Sequence, residues 1–96
     1  MKNVKKEIVK LTVNQDMTII NVVGLKEKFE KALNSASTIE LTIKNAHVID
    51  LAGLQLIYAL KKEADKKNKE LKINFELEEK LLRAINMSGF GDLFKN

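Results

Sequence analysis

What most constrains this chain is a change of hydrophobic period that recurs along its length. Val9, Leu11 and Val13 alternate with Lys10 and Thr12, the period-2 pattern of a strand with one buried face. Asn14, Gln15 and Asp16 interrupt that pattern and Met17 to Ile20 return to strand-like residues, so a first strand or tight hairpin is expected within the first twenty positions. From Asn21 the period lengthens. Val22, Leu25, Phe29, Ala32 and Leu33 share one helical face, with Asn21 available as N-cap and an end expected near Asn34. A Ser-Ala-Ser-Thr connection leads to Ile39, Leu41 and Ile43, which alternate with Glu40, Thr42 and Lys44 as a second strand.

Asp50 opens the next helix, in which Gly53, Leu56, Ile57, Leu60 and Ala64 converge on one face. It should run to about Asn68, with lysines in its last turns where the negative end of the helix dipole favours them. Leu71, Ile73, Phe75 and Leu77 alternate with Lys72, Asn74 and Glu76 as a third strand. Glu78 to Met87 read as a helix with Leu81, Leu82 and Ile85 inward, closed by Ser88 and Gly89, and Phe90, Leu93 and Phe94 are expected to tuck a short turn onto the core.

Strands alternating with helices imply parallel neighbours joined by right-handed crossovers. Crossovers that keep advancing in one direction put their helices on one side. The clean alternation of the strands agrees, because a sheet covered on both faces would be continuously apolar. The expected class is therefore α/β, a mainly parallel sheet of about four strands with helices predominantly on one face and a polar open face. With 96 residues and no proline, repeat or low-complexity linker, one domain over 1–96 is expected.

Composition removes several classes of function. The chain has no cysteine and a single histidine, His47, so no disulfide, thiolate zinc site or other metal centre is expected. No apolar run has signal-peptide length or approaches the ~20 residues of a membrane span, which points to a cytoplasmic protein without direct membrane insertion. The net charge is +4, yet Lys26, Glu27, Lys28, Glu30 and Lys31 interleave, as do Glu63, Asp65, Lys66 and Lys67. Interleaved charge marks a solvated face, and a lone arginine with few aromatics offers little for nucleic-acid readout.

No nucleophile elbow, phosphate-binding loop, dinucleotide fingerprint or metal-spaced cluster occurs, so no cofactor is expected. His47 and Asp50 lie three residues apart, but acid-base catalysis needs a third positioned group and a pocket. Asp16, Asp50 and Asp65 lack the acidic pair near the first strand that a phosphorelay receiver would carry. Nothing here requires an enzyme.

Val48-Ile49-Asp50-Leu51-Ala52-Gly53-Leu54-Gln55-Leu56-Ile57 resembles the signature of STAS domains, in which a strand and loop end in Asp-Ser/Thr-Ser-Gly-Leu at a helix start. Met17-Thr18-Ile19 is similar to the family's Glu-Leu-Thr or Glu-Leu-Asp element, and Met87-Ser88-Gly89-Phe90 with Asp92-Leu93-Phe94 is similar to its closing Thr/Ser-Gly segment. The resemblance implies protein recognition: anti-sigma-factor antagonists of this family dock onto switch kinases with a GHKL-type ATP-binding fold, and phosphorylation of a signature serine controls docking. That position here is Ala52, and Leu51 removes the neighbouring hydroxyl, so the serine's role is not carried over. The Asp-x-Ala-Gly-Leu-Gln variant also resembles STAS proteins that accompany chemotaxis or other sensory histidine kinases, and small subunits of lipid-transport ABC ATPases. Few residues precede Val9, which leaves little for a long extra edge strand.

The residues themselves give Asp50 an N-cap role worth roughly 0.5–2 kcal/mol and Gly53 a close-packing role. Leu51, Gln55, Tyr58 and Lys62 are spaced by four, three and four and so form one stripe opposite much of the core face. Asp50, Leu51, Ala52, Gly53, Gln55, Tyr58 and Lys62 are thus the expected partner-binding residues. The expected partner is a regulatory protein such as an anti-sigma factor or sensory histidine kinase, and a weak homodimer is a further outcome the sequence leaves open.

Overall fold

The structure is a computed structural model that describes residues 7–91. The elements follow in the order β1 (Ile8–Val13), α1 (Val22–Ser35), β2 (Thr38–Lys44), α2 (Leu51–Lys66), β3 (Glu70–Glu76) and α3 (Glu79–Met87). The strands form a three-stranded sheet in the order β1-β2-β3, and both pairings are parallel. An isolated parallel bridge between Met17 and Ile49 extends the β1–β2 contact past the strand ends. The opening segment is thus a strand followed by a bridging turn, and Met17 runs in the same sense as Ile49.

Register sorts the side chains into two faces. Val9, Ile39 and Leu71 are in line, as are Leu11, Leu41 and Ile73, and then Val13, Ile43 and Phe75. Ile39, Leu41 and Ile43 of the central strand are fully buried, because α1 and α2 pack over this side with Leu25, Phe29, Ala32 and Leu33 from one helix and Leu54, Ile57, Leu60 and Ala64 from the other. Ile85 brings α3 into the same core. The opposite face carries Lys10, Glu40 and Lys72 in one row and Thr12, Thr42 and Asn74 in the next, so the expected polar face is present. Thr38, the buried polar residue on that side, donates its hydroxyl to Glu70 Oε1 at 3.5 Å.

Helix ends follow local chemistry at α2 and depart from it at the start of α1. Asp50 caps α2 through its side chain. At the other end Asn68 takes a left-handed φ of 58°, and the Lys69 amide reaches back to the Ala64 carbonyl at 2.8 Å, a Schellman-like closure that asparagine tolerates. Asn21, expected to cap α1, makes no side-chain cap bond. Its amide side chain instead donates to the Asp16 carbonyl at 3.0 Å, and the helix is entered through a turn in which the Asn21 and Val22 amides both donate to Thr18 O. The preceding loop outcompetes the local cap. Phe90 is half-buried against the core, while Asp92, Leu93 and Phe94 lie outside the described residues.

Ile57 of α2 has no exposed surface and belongs to the hydrophobic core. Ile57→Ala should therefore cost about 2–5 kcal/mol in urea-unfolding free energy; a loss below about 1 kcal/mol would mean that the helix layer is not seated as described.

Candidate protein-docking site

Two loops meet at the carboxyl end of the parallel sheet: the one from β1 to α1 and the one from β2 to α2. Their backbones are paired. The Met17 amide donates to Val48 O and the Asp50 amide to Met17 O, both at 3.0 Å.

Two carboxylates lock this pairing. Asp50 uses both oxygens, Oδ1 accepting from the Gly53 amide and Oδ2 from the Ile19 amide, each at 3.0 Å. It therefore caps its own helix and holds a loop 31 residues away. Asp16 acts in the other direction, with Oδ1 accepting from the amides of His47 at 2.7 Å and Val48 at 3.1 Å. Those hydrogen bonds stabilise the charged form and hold the Asp16 carboxyl below its usual 3.8. A third tie runs from Asn45, at a left-handed φ of 58°, whose side chain donates to Asn14 Oδ1 at 2.7 Å.

Gly53 sits at the crossing of these loops. A Cβ built on it would fall 2.5 Å from the Met17 carbonyl oxygen and 2.8 Å from Met17 Cβ, so α2 approaches the first loop as closely as glycine alone permits. Gly53 is buried, and Ala52 beside it is half-buried. Leu51 projects outward with 59% of its surface exposed.

The stripe along α2 divides. Leu51 and Gln55 are exposed, as is Lys62. Tyr58, however, is half-buried: Phe90 packs edge-on against its ring at 6.2 Å between centroids, and Lys62 Nζ lies 5.6 Å from its centroid. The other exposed apolar residues at this end come from the two loops and the first turn of α1. Ile19 is 67% exposed, Ile20 86%, Val23 71% and Val48 48%. None of them was among the expected partner-binding residues, although the run Met17–Leu25 has no charged residue in a chain that is 31% charged, and a run with more apolar side chains than its helix and loop can bury must expose some.

His47 and Asp50 do not form a dyad. His47 Nδ1 faces Glu78 at 3.4 Å on the surface, while both Asp50 oxygens are occupied by backbone amides. Among the described residues, no group of three or more His, Asp or Glu could hold a metal ion, and no helix is long and apolar enough to cross a membrane.

Two outcomes check this geometry. Gly53→Ala should destabilise the fold by about 1–3 kcal/mol, the usual range for overpacking, and unaltered urea unfolding would contradict the close approach. For Asp16 the folded pKa is depressed, so its contribution is complete above the unfolded value of 3.8 and is lost as pH falls through the lower folded value. Stability measured across the acid range should thus fall less steeply in Asp16→Asn, whose side chain does not titrate, than in the unaltered protein; identical slopes would contradict the clamp.

Comparison with known proteins adds a family. The curated proteins give no match, but the family model described as STAS domain matches residues 1–96. That match covers the paired loops, the Asp50 cap and the parallel sheet they sit on, and the chain accordingly belongs to the STAS domain family.

Proposed function

We propose that this chain binds a regulatory protein of the anti-sigma-factor or sensory histidine-kinase type, in the cytoplasm, through the start of α2, and that it does so without a serine phospho-switch. STAS domains are protein-interaction modules and generally not enzymes. The observation that carries the reading is Leu51, an apolar side chain 59% exposed in the first turn of α2, held there by a cap that also fixes the adjoining loop.

The roles follow from position. Asp50 and Gly53 shape the surface from beneath, since one is spent on backbone amides and the other is buried. Leu51 and Gln55 would meet the partner directly, and Ala52 offers a small half-buried surface between them. Tyr58 and Lys62 would form its border, because Phe90 covers one side of the ring. Ala52 has no hydroxyl, so occupancy would depend on expression, competition or the partner's own state rather than phosphorylation at this position.

Affinity co-purification with identification of bound proteins by mass spectrometry tests this, comparing the unaltered chain with Leu51→Asp. A kinase-like or anti-sigma partner that is lost from Leu51→Asp is the expected outcome, since an unpaired charge buried at a contact costs several kcal/mol. Retention of that partner after disruption of both Leu51 and Tyr58 would remove the surface from the account. Stoichiometric recovery of an ATP-binding cassette protein would replace the signalling reading with that of a transporter accessory subunit.

A further inference from the structure

In the α2 stripe Leu51, Gln55, Tyr58 and Lys62, only Tyr58 is half-buried, and Phe90 packs on its ring with 6.2 Å between centroids. Phe90 belongs to the turn that closes α3. Its amide donates to Ser88 Oγ at 3.2 Å, and that hydroxyl donates to the Ile85 carbonyl at 2.6 Å. Gly91 then returns so closely that a Cβ there would lie 2.9 Å from Asn86 Cα. The Phe90 ring and α3 are therefore one piece.

That piece is the part of the fold least able to hold itself in place. α3 has nine residues, and isolated helices shorter than about 12–15 residues are marginal in water. Among the described residues, Ile85 is its one buried side chain, against four in α1 and five in α2. Glu78, at the N-cap position, makes no side-chain cap bond. Under this end of the helix, Ala46, His47, Glu78, Lys80, Leu81 and Ala84 line an open cleft of about 320 Å³. Glu78 faces His47 Nδ1 across it at 3.4 Å, with both side chains largely in water, where an ion pair adds little.

We propose that α3 and Phe90 form a lid over the far half of the docking stripe, an autoinhibitory contact that opens while the sheet, α1 and α2 stay folded. Closed, Phe90 occupies ring surface of Tyr58 that a partner would otherwise meet. Open, Tyr58 extends the surface begun by Leu51 and Gln55. The inhibitory role rests on the docking reading above: a partner that needs the uncovered ring binds with an apparent affinity scaled by the open fraction. Such control needs no hydroxyl at Ala52. Opening is measured on the pure protein, so its failure leaves the docking reading standing, and loss of the docking reading leaves the lid standing.

Amide hydrogen exchange of the purified full chain is the test. The amides of Leu82 to Met87 should exchange at least about tenfold faster than those of Leu41 and Ile57, and respond little to urea well below the unfolding transition, because the opening exposes little surface. Ile39→Val, at a fully buried residue of β2, should speed Leu41 and Ile57 about 2- to 10-fold and leave the α3 amides unchanged. Phe90→Ala should speed the α3 amides at least about tenfold. Glu78→Asp, which supplies a shorter capping carboxylate, should slow them about 3- to 30-fold. In co-purification, Phe90→Ala should recover more of the kinase-like or anti-sigma partner than Glu78→Asp. Alpha-3 amides that follow Leu41 and Ile57 in Ile39→Val, or that ignore Phe90→Ala, overturn the lid; equal recovery of the partner by the two variants overturns its inhibitory role.

Discussion

The Asp50 carboxylate joins the start of α2 to the loop that leads into α1. One oxygen serves the Gly53 amide at the start of α2 and the other serves the Ile19 amide. An asparagine would offer one acceptor oxygen and leave the second amide facing an NH₂ group, and an unsatisfied amide costs about 1–3 kcal/mol when shielded from water. A glutamate would carry its oxygens one bond further from the first turn. The short, doubly accepting side chain is what lets helix capping and loop docking be the same event. The missing Cβ of Gly53 completes it by letting the helix reach the Met17 carbonyl.

From that joint the character of the surface follows. Asp16 and Asp50 are the acids nearest the loop crossing, and both are spent on backbone amides. Leu51, Ile19, Ile20, Val23 and Val48 are left facing outward, and the segments Met17–Leu25 and Leu51–Leu60 contain no charged residue. Lysines and acids are distributed instead over the open sheet face and the outer sides of the helices, where water solvates them. Contact at this apolar end would release water from apolar surface.

Period and capping chemistry were legible in the sequence; contacts between distant loops were not. The alternation of Ile39, Leu41 and Ile43 located β2 and its buried face, and Asp50 was identifiable as a cap because an N-cap bond is local. The α/β class followed from such patterns, and the STAS resemblance from the motif residues Val48 to Ile57 and the family-like segments on either side of them; the structure and the family match met them. Asn21 misled because its local capping bond lost to the Asp16 carbonyl, a contact set by how the loop folds back. Asp16 gave no signal, since the amides it serves lie 31 and 32 residues away. Tyr58 was placed on an outward stripe by helical spacing, and only the return of the chain after α3 brings Phe90 against it.

The central claim is that recognition occurs at the capped end of the molecule and not on the open sheet. Amide hydrogen exchange of the chain, alone and saturated with the partner that co-purifies with it, measures this most directly. The account predicts added protection over Thr18–Val23 and Val48–Gln55 with Lys10, Glu40 and Lys72 unchanged. Protection confined to those sheet residues, with the two loops exchanging as in the free protein, would contradict it.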